Sequence, residues 1–240
     1  MNRGLRGFPQ HQASVALPHL DMYAESPSLS RSYNLDFSEK SAPSQFAGLT
    51  KVNWTFNALE YDGDSVPGGK FLELASATAF RAAVRPLPLG NFDAVAHFAA
   101  VPRYGVPGIV MSDGTTAGAG NQVVAYGYCP GTTRVAGVSR YTNFTTFAAV
   151  LITERDFHSP HLFVRINRTG STFYAAFSEN GRLWSTLTSF TPTGTMAHIG
   201  LLYAPVSGVV TRFGTYAFRI YQPALPRDIG GLERRLVALP

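Results

Sequence analysis

The chain has 240 residues, of which 45% are hydrophobic and 15% charged, so it can bury a sizeable core and is not a disordered protein. Its net charge of +5 is spread along the sequence without a run of like charges, which disfavours a nucleic-acid-binding surface. The single cysteine, Cys129, excludes an intramolecular disulfide, and no apolar run approaches the roughly 18 residues that a membrane helix needs. We therefore expect a globular protein whose fold needs no disulfide and which binds neither nucleic acid nor membrane.

Residues 1–49 are predicted to form an extended N-terminal arm. They contain four prolines and no sustained period of 2 or 3.6 residues, so neither a strand nor a helix is indicated. They also carry too many large apolar side chains for a free linker. We expect these side chains to attach the arm to its own domain or to a neighbouring subunit, with these candidates: Phe8, Leu17, Leu20, Tyr23, Tyr33 and Phe37.

Residues 50–224 are predicted to form one β-sandwich domain, followed by a C-terminal tail at 225–240. Short runs rich in Val, Phe, Tyr, Thr and Ala alternate with turn residues, and no helical pattern separates them. Such a series of short strands is typical of an antiparallel two-sheet sandwich. The predicted strands are 52–57, 70–75, 79–86, 92–99, 108–112, 122–128, 132–139, 147–152, 161–167, 172–178, 183–190, 198–203 and 214–221.

Three of these strands are predicted to form a meander. The alternation of side chains between the two faces of a strand is clearest at residues 162–167, where Leu162, Val164 and Ile166 would share one face. The next strand follows through a turn at residues 167–171, and a tight turn at Asn180-Gly181 leads to the third. Asn-Gly is a strong hairpin signal because both central residues of a type I′ turn need positive φ.

Eight strand motifs follow one another in a characteristic order: VNWTFN at 52–57, FLEL at 71–74, RAAVR at 81–85, GIVMSDGT at 108–115, LFVRI at 162–166, TFYAAFSENGRLW at 172–184, IGLLY at 199–203 and FGTYAFRI at 213–220. Their order resembles the concanavalin A-like lectin/glucanase jelly roll, in the version found in virion proteins of tailed bacteriophages. The resemblance covers residues 50–222. It implies two curved antiparallel sheets of six or seven strands, with a carbohydrate-contacting concave face or a purely structural role.

Trp184 has two interpretations in this pattern. It follows the turn glycine Gly181 by three residues, so its large ring is expected on a core face as a packing anchor. The alternative is a tryptophan that stacks on a sugar at the concave face.

Glycosidases of this architecture carry two acids on one face of a strand, one as nucleophile and one as acid. The nearest run here is Glu60, Asp62 and Asp64, but the surrounding glycines and Pro67 make it a loop, so no rigid strand fixes the carboxyl separation. We therefore expect no enzymatic activity. The same three residues are weak candidates for a calcium site.

Other groups of residues are even weaker candidates for a metal, cofactor or catalytic site. Asp156, His158 and His161 lie within six residues, but Pro160 makes the segment a loop, and we interpret it as a surface turn without a metal. The sequence has no phosphate-binding loop and no nucleophile elbow, so no cofactor is expected.

These patterns favour a non-enzymatic structural protein of a phage virion, either a capsid decoration or cement protein or a tail or fibre component. It would be a homo-oligomer that contacts other virion proteins. Because no export signal or disulfide is visible, we expect assembly in the host cytoplasm. The alternative is a carbohydrate-binding module for a surface glycan, with these aromatic contact candidates: Tyr104, Tyr126, Tyr128, Tyr141 and Phe144.

Overall fold

The computed structural model describes residues 29–36, 49–52, 72–76, 81–98, 105–116, 122–128, 133–143, 146–150, 155–159, 161–192, 194–205 and 211–223. Within these ranges every regular element is a β-strand and every strand pairing is antiparallel, so the predicted all-β class is confirmed. No helix in the described ranges is long and apolar enough to cross a bilayer.

The fifteen strands, numbered in chain order, form two sheets. The seven-stranded sheet contains β1 (Leu29–Asp36), β3 (Leu72–Ser76), β5 (Phe92–Phe98), β11 (Leu162–Thr169), β12 (Thr172–Ser178), β13 (Ser185–Phe190) and β15 (Thr211–Pro223). The eight-stranded sheet contains β2 (Thr50–Val52), β4 (Arg81–Pro86), β6 (Gly105–Ser112), β7 (Gln122–Tyr128), β8 (Arg134–Asn143), β9 (Thr146–Val150), β10 (Arg155–Phe157) and β14 (His198–Pro205). The first sheet has the order β1-β15-β5-β11-β12-β13, with β3 beside β15, and the second has β10-β8-β7-β6-β14-β4-β2, with β9 beside β8.

The main hydrophobic core lies between the two sheets. Leu162, Val164 and Ile166 of β11 all point into it, as their alternation predicts, and Ile109 and Met111 of β6 belong to the same core from the opposite sheet. Because successive side chains of a strand alternate between faces, the intervening residues of β11 point to the outer face of the seven-stranded sheet.

Two of the described strands were not predicted. β10 is one, and β1 is the other: it lies inside the predicted arm and pairs with β15, from Leu29 opposite Pro223 to Asp36 opposite Ala217. Part of the predicted arm is therefore an edge strand of the sandwich itself.

Tyr33 is the arm candidate whose surroundings are described, and it packs on its own domain. Its ring meets that of Phe218 edge-on at 5.9 Å between centroids, and the Arg85 guanidinium carbon lies 4.0 Å from the Tyr33 ring centroid. Burial raises the pKa of Tyr33 to about 12, so the phenol stays neutral. The other arm candidates, Phe8, Leu17, Leu20, Tyr23 and Phe37, lie outside the described residues.

The predicted meander of β11, β12 and β13 is confirmed, but one of its turns differs from the prediction. β11 and β12 are joined by the two residues Gly170 and Ser171, with Gly170 at φ 62°. The prediction of a tight turn at Asn180-Gly181 is wrong, because the connection between β12 and β13 is a loop of six residues, 179–184. The Asn180 side-chain oxygen accepts hydrogen bonds from the backbone N–H groups of Arg182 (2.8 Å) and Leu183 (3.0 Å), which holds this longer loop in place of a two-residue hairpin.

Candidate functional site

Three cross-strand rows of side chains cover the outer face of the seven-stranded sheet. Each row runs across β15, β5, β11 and β12 in register. The first row is Tyr221, Asp93, Asn167 and Tyr174; the second is Arg219, Val95, Arg165 and Ala176; the third is Ala217, His97, Phe163 and Ser178. Polar and aromatic groups from four strands are therefore brought to one surface.

Arg165 and Asp93 form a bidentate ion pair between the first two rows. The Arg165 Nε donates to Asp93 Oδ1 at 2.7 Å, and its Nη2 donates to Oδ2 at 2.6 Å. The Asp93 side chain is 9% exposed and that of Arg165 is 26% exposed. Burial raises the pKa of Asp93 above its usual value, and the hydrogen bonds and charge of Arg165 offset only part of this rise. The pair fixes the plane of the guanidinium on this face.

Trp184 lies over the same face and not in the core between the sheets. It is half-buried against a small cluster of Val95, Phe163 and Ala217, all of which point outward from the seven-stranded sheet. The Arg165 guanidinium carbon is 5.7 Å from its ring centroid, within cation–π range. Trp184 therefore packs on a hydrophobic cluster, as the anchor interpretation predicts, but this cluster is on the outer face and is separate from the core between the sheets. The six-residue loop before β13 brings the indole onto the outer face.

A groove of about 360 Å³ opens beside Trp184 on the outer face. We call it the outer groove, and its lining is Arg165, Asn167, Thr169, Tyr174, Ala176, Trp184 and Thr186. A β-bulge in the β12–β13 pairing lies at its floor, since Ala175 pairs with Thr188 and Ala176 with Thr186. Leu187 is left as the extra residue and is buried in the main core, while Thr186 lines the groove.

The chemistry of the outer groove suits a sugar. The C–H faces of a pyranose are apolar and can stack on the rings of Trp184 and Tyr174, while its hydroxyls are both donors and acceptors. The Asn167 amide, the threonine hydroxyls and the Arg165 guanidinium offer matching hydrogen-bonding groups around these rings.

His97, a member of the third row, contacts a second histidine, His161. The His97 ring stacks on Phe163 at 4.0 Å between centroids, and its Nε2 lies 3.4 Å from Nδ1 of His161. Burial lowers the pKa of His161, which keeps it neutral at pH 7 and suits a hydrogen bond between two imidazoles.

The predicted surface turn that contains His161 is exposed at Asp156 and His158, whereas His161 itself is half-buried. No group of three or more His, Cys, Asp or Glu side chains in the described part of the chain is placed to hold a metal ion. The acidic run Glu60, Asp62 and Asp64 lies outside the described residues, as does Cys129.

Three of the five predicted glycan contacts lie on the opposite side of the sandwich from the outer groove. Tyr126, Tyr128 and Tyr141 are on the outer face of the eight-stranded sheet, where Tyr126 is buried and Ser139 Oγ donates to its hydroxyl at 3.3 Å. Burial raises the pKa of Tyr141. Tyr104 and Phe144 lie outside the described residues. The structure thus brings three of the five candidates together on one face.

The groove residues Arg165, Asn167 and Tyr174 were not among the predicted contacts. The alternation that placed Leu162, Val164 and Ile166 inward also placed Arg165 and Asn167 outward, so this signal was present in the sequence.

The sandwich has the fold of known carbohydrate-active and phage proteins, although no protein-family model and no curated protein matches its sequence. The GH43 protein BlXynB of Bacillus licheniformis has a TM-score of 0.60 at 13% identity, with 79% of this chain and 39% of that chain covered. The CBM2 module of the evolved Dit of Lactobacillus casei BL23 phage J-1 has a TM-score of 0.54 at 11% identity, with 83% and 98% covered. The VIP36 exoplasmic/lumenal domain bound to Ca²⁺ and Man3GlcNAc has a TM-score of 0.52 at 11% identity, with 85% and 94% covered.

These similarities establish the fold alone. This chain spans about two-fifths of the length of BlXynB, and the identities are low. The concanavalin A-like jelly-roll sandwich expected from the order of the strands is confirmed.

Proposed function

We propose that this chain is a non-enzymatic carbohydrate-binding sandwich that binds a glycan in the outer groove. The observation that carries the proposal is the position of Trp184: its half-buried indole lies over the outer face of the seven-stranded sheet and lines a groove together with Tyr174, Arg165 and Asn167. A groove with aromatic walls and a few fixed polar groups is what recognition of a sugar requires.

The absence of catalysis is part of the proposal. Glycoside hydrolysis needs two carboxyl groups about 5–9.5 Å apart. The lining of the outer groove, as far as the structure describes it, contains none, and both oxygens of the adjacent Asp93 are bonded to Arg165. The same fold occurs in a GH43 protein as well as in the CBM2 module of a phage Dit and the VIP36 domain, so the lining of the groove carries this part of the proposal and the fold does not.

Trp184→Ala is expected to weaken glycan binding by about tenfold or more, equivalent to about 1.4 kcal/mol, because the stacking platform is removed. Binding is measured on a glycan array and then by calorimetry with xylotetraose and mannobiose, two neutral sugars. Leu183→Ala is the matched control, since Leu183 is the exposed residue before Trp184 and does not line the groove. Equal binding by the two variants, or no arrayed glycan bound by the parent protein, would contradict the proposal.

We also propose that the chain is a component of a bacteriophage virion, in a capsid decoration or cement role or in the tail or fibre. It would be assembled in the host cytoplasm as a homo-oligomer with other virion proteins. The order of the strand sequences and the fold shared with the phage J-1 Dit module support this proposal.

Mass spectrometry of purified virions tests the virion role. We expect peptides of this chain in the particles, with many copies indicating decoration and a few copies indicating the tail. Particles that lack the chain while the infected cells contain it would rule the role out.

A further inference from the structure

The positive charge of Arg165 is already compensated within the protein. Asp93 accepts two charge-assisted hydrogen bonds from Arg165, one on each carboxylate oxygen, at 2.7 and 2.6 Å. Asp93 sits one row away on β5, is nearly buried, and does not line the outer groove. A carboxylate or phosphate entering the groove would have to compete with Asp93 for Arg165 and would meet the charge of Asp93 behind it.

The rest of the described groove lining is uncharged. Asn167, Thr169, Tyr174, Trp184 and Thr186 offer an amide, hydroxyls and rings. Arg219 shares a row with Arg165, but it is buried and does not line the groove. The described lining of the groove is therefore polar and aromatic, and its one cation, Arg165, is paired with Asp93.

From this arrangement we infer that the outer groove selects neutral glycans and that Asp93 determines this selectivity. The inference rests on the proposed glycan-binding function and adds the class of ligand. Asp93 acts through Arg165: it neutralises the guanidinium charge and fixes its plane beside Trp184, so that Arg165 serves as an oriented donor to sugar hydroxyls. Asp93 is accordingly a positioning and specificity residue without contact to the ligand.

The parent protein itself provides the first test. Binding is compared between neutral probes, xylotetraose and mannobiose, and anionic probes, tetragalacturonic acid and sialyllactose, at low and high salt. We expect about a tenfold or greater preference for a neutral probe, with little dependence on salt because no net charge is exchanged. A preference for an anionic probe that is lost in Trp184→Ala would overturn this inference and leave the proposed function intact. No binding of any probe or arrayed glycan would overturn the proposed function itself.

Asp93→Asn tests the cause of the selectivity. It removes the carboxylate that pairs with Arg165, so affinity for the neutral probe should fall by about tenfold and affinity for tetragalacturonic acid should rise by a similar factor, in a salt-dependent manner. Asp156→Asn is the matched control, because it removes an exposed carboxylate that does not line the groove. An unchanged preference in folded Asp93→Asn would refute the role of Asp93.

If Asp93→Asn does not fold, the double variant Asp93→Asn/Arg165→Gln replaces the ion pair with two neutral amides. It should still reject tetragalacturonic acid, because the described lining of the groove then carries no cation. Binding of tetragalacturonic acid by this double variant would contradict the inference.

Discussion

Gly200→Ala is expected to destabilise the sandwich by about 3 kcal/mol. Gly200 lies on β14 between β4 and β6, and a Cβ atom there would clash with the Ala83 carbonyl oxygen and would be 2.6 Å from the Val84 Cα. Both are backbone atoms of β4 and cannot rotate away, so β14 and β4 would have to separate. Denaturant unfolding monitored by circular dichroism measures the effect.

Gly90→Ala is the control for this prediction. Nothing lies within 4 Å of a Cβ at Gly90, and only its positive φ of 73° opposes the substitution, at a cost of about 1 kcal/mol. If Gly200→Ala proved no more destabilising than Gly90→Ala, the close approach of β14 and β4 would be incorrect.

Leu162→Ala is expected to lower the free energy of unfolding by about 3 kcal/mol. Leu162 is 0% exposed in the core between the sheets, so truncation removes buried methyl groups and leaves a cavity. Leu89→Ala makes the same chemical change at a side chain that is 90% exposed, and its effect should stay within about 0.5 kcal/mol. Similar losses for the two variants, measured by thermal and denaturant unfolding, would show that the core is not where the structure places it.

The interior of the sandwich could be predicted from sequence because its signal is local. The alternation of Leu162, Val164 and Ile166 sufficed to place one face of β11 in the core. β1 was missed although Leu29, Tyr33 and Leu35 alternate with polar residues, because Arg31 interrupts this short apolar face. Its position as an edge strand comes from pairing with β15, almost two hundred residues away.

The outer groove was harder to predict because it is assembled across strands. Asp93 and Arg165 are 72 residues apart, and their ion pair exists only because β5 and β11 are neighbours in register. The face occupied by Trp184 depends on the length of the loop at residues 179–184. The Asn-Gly pair predicts a turn there but not its length. The length depends on the side-chain oxygen of Asn180, which accepts hydrogen bonds from two backbone N–H groups further along the loop.

The most direct test of glycan binding in the outer groove is an NMR titration that follows the indole N–H of Trp184, assigned with Trp184→Phe. The sequence has one other tryptophan, Trp54, so two indole signals are expected. On addition of the neutral glycan that binds best on the array, the Trp184 signal should shift saturably, together with backbone signals of Asn167 and Tyr174. Saturable binding that leaves Trp184 unmoved and shifts Tyr126, Tyr128 and Tyr141 would place the site on the opposite sheet and contradict the account.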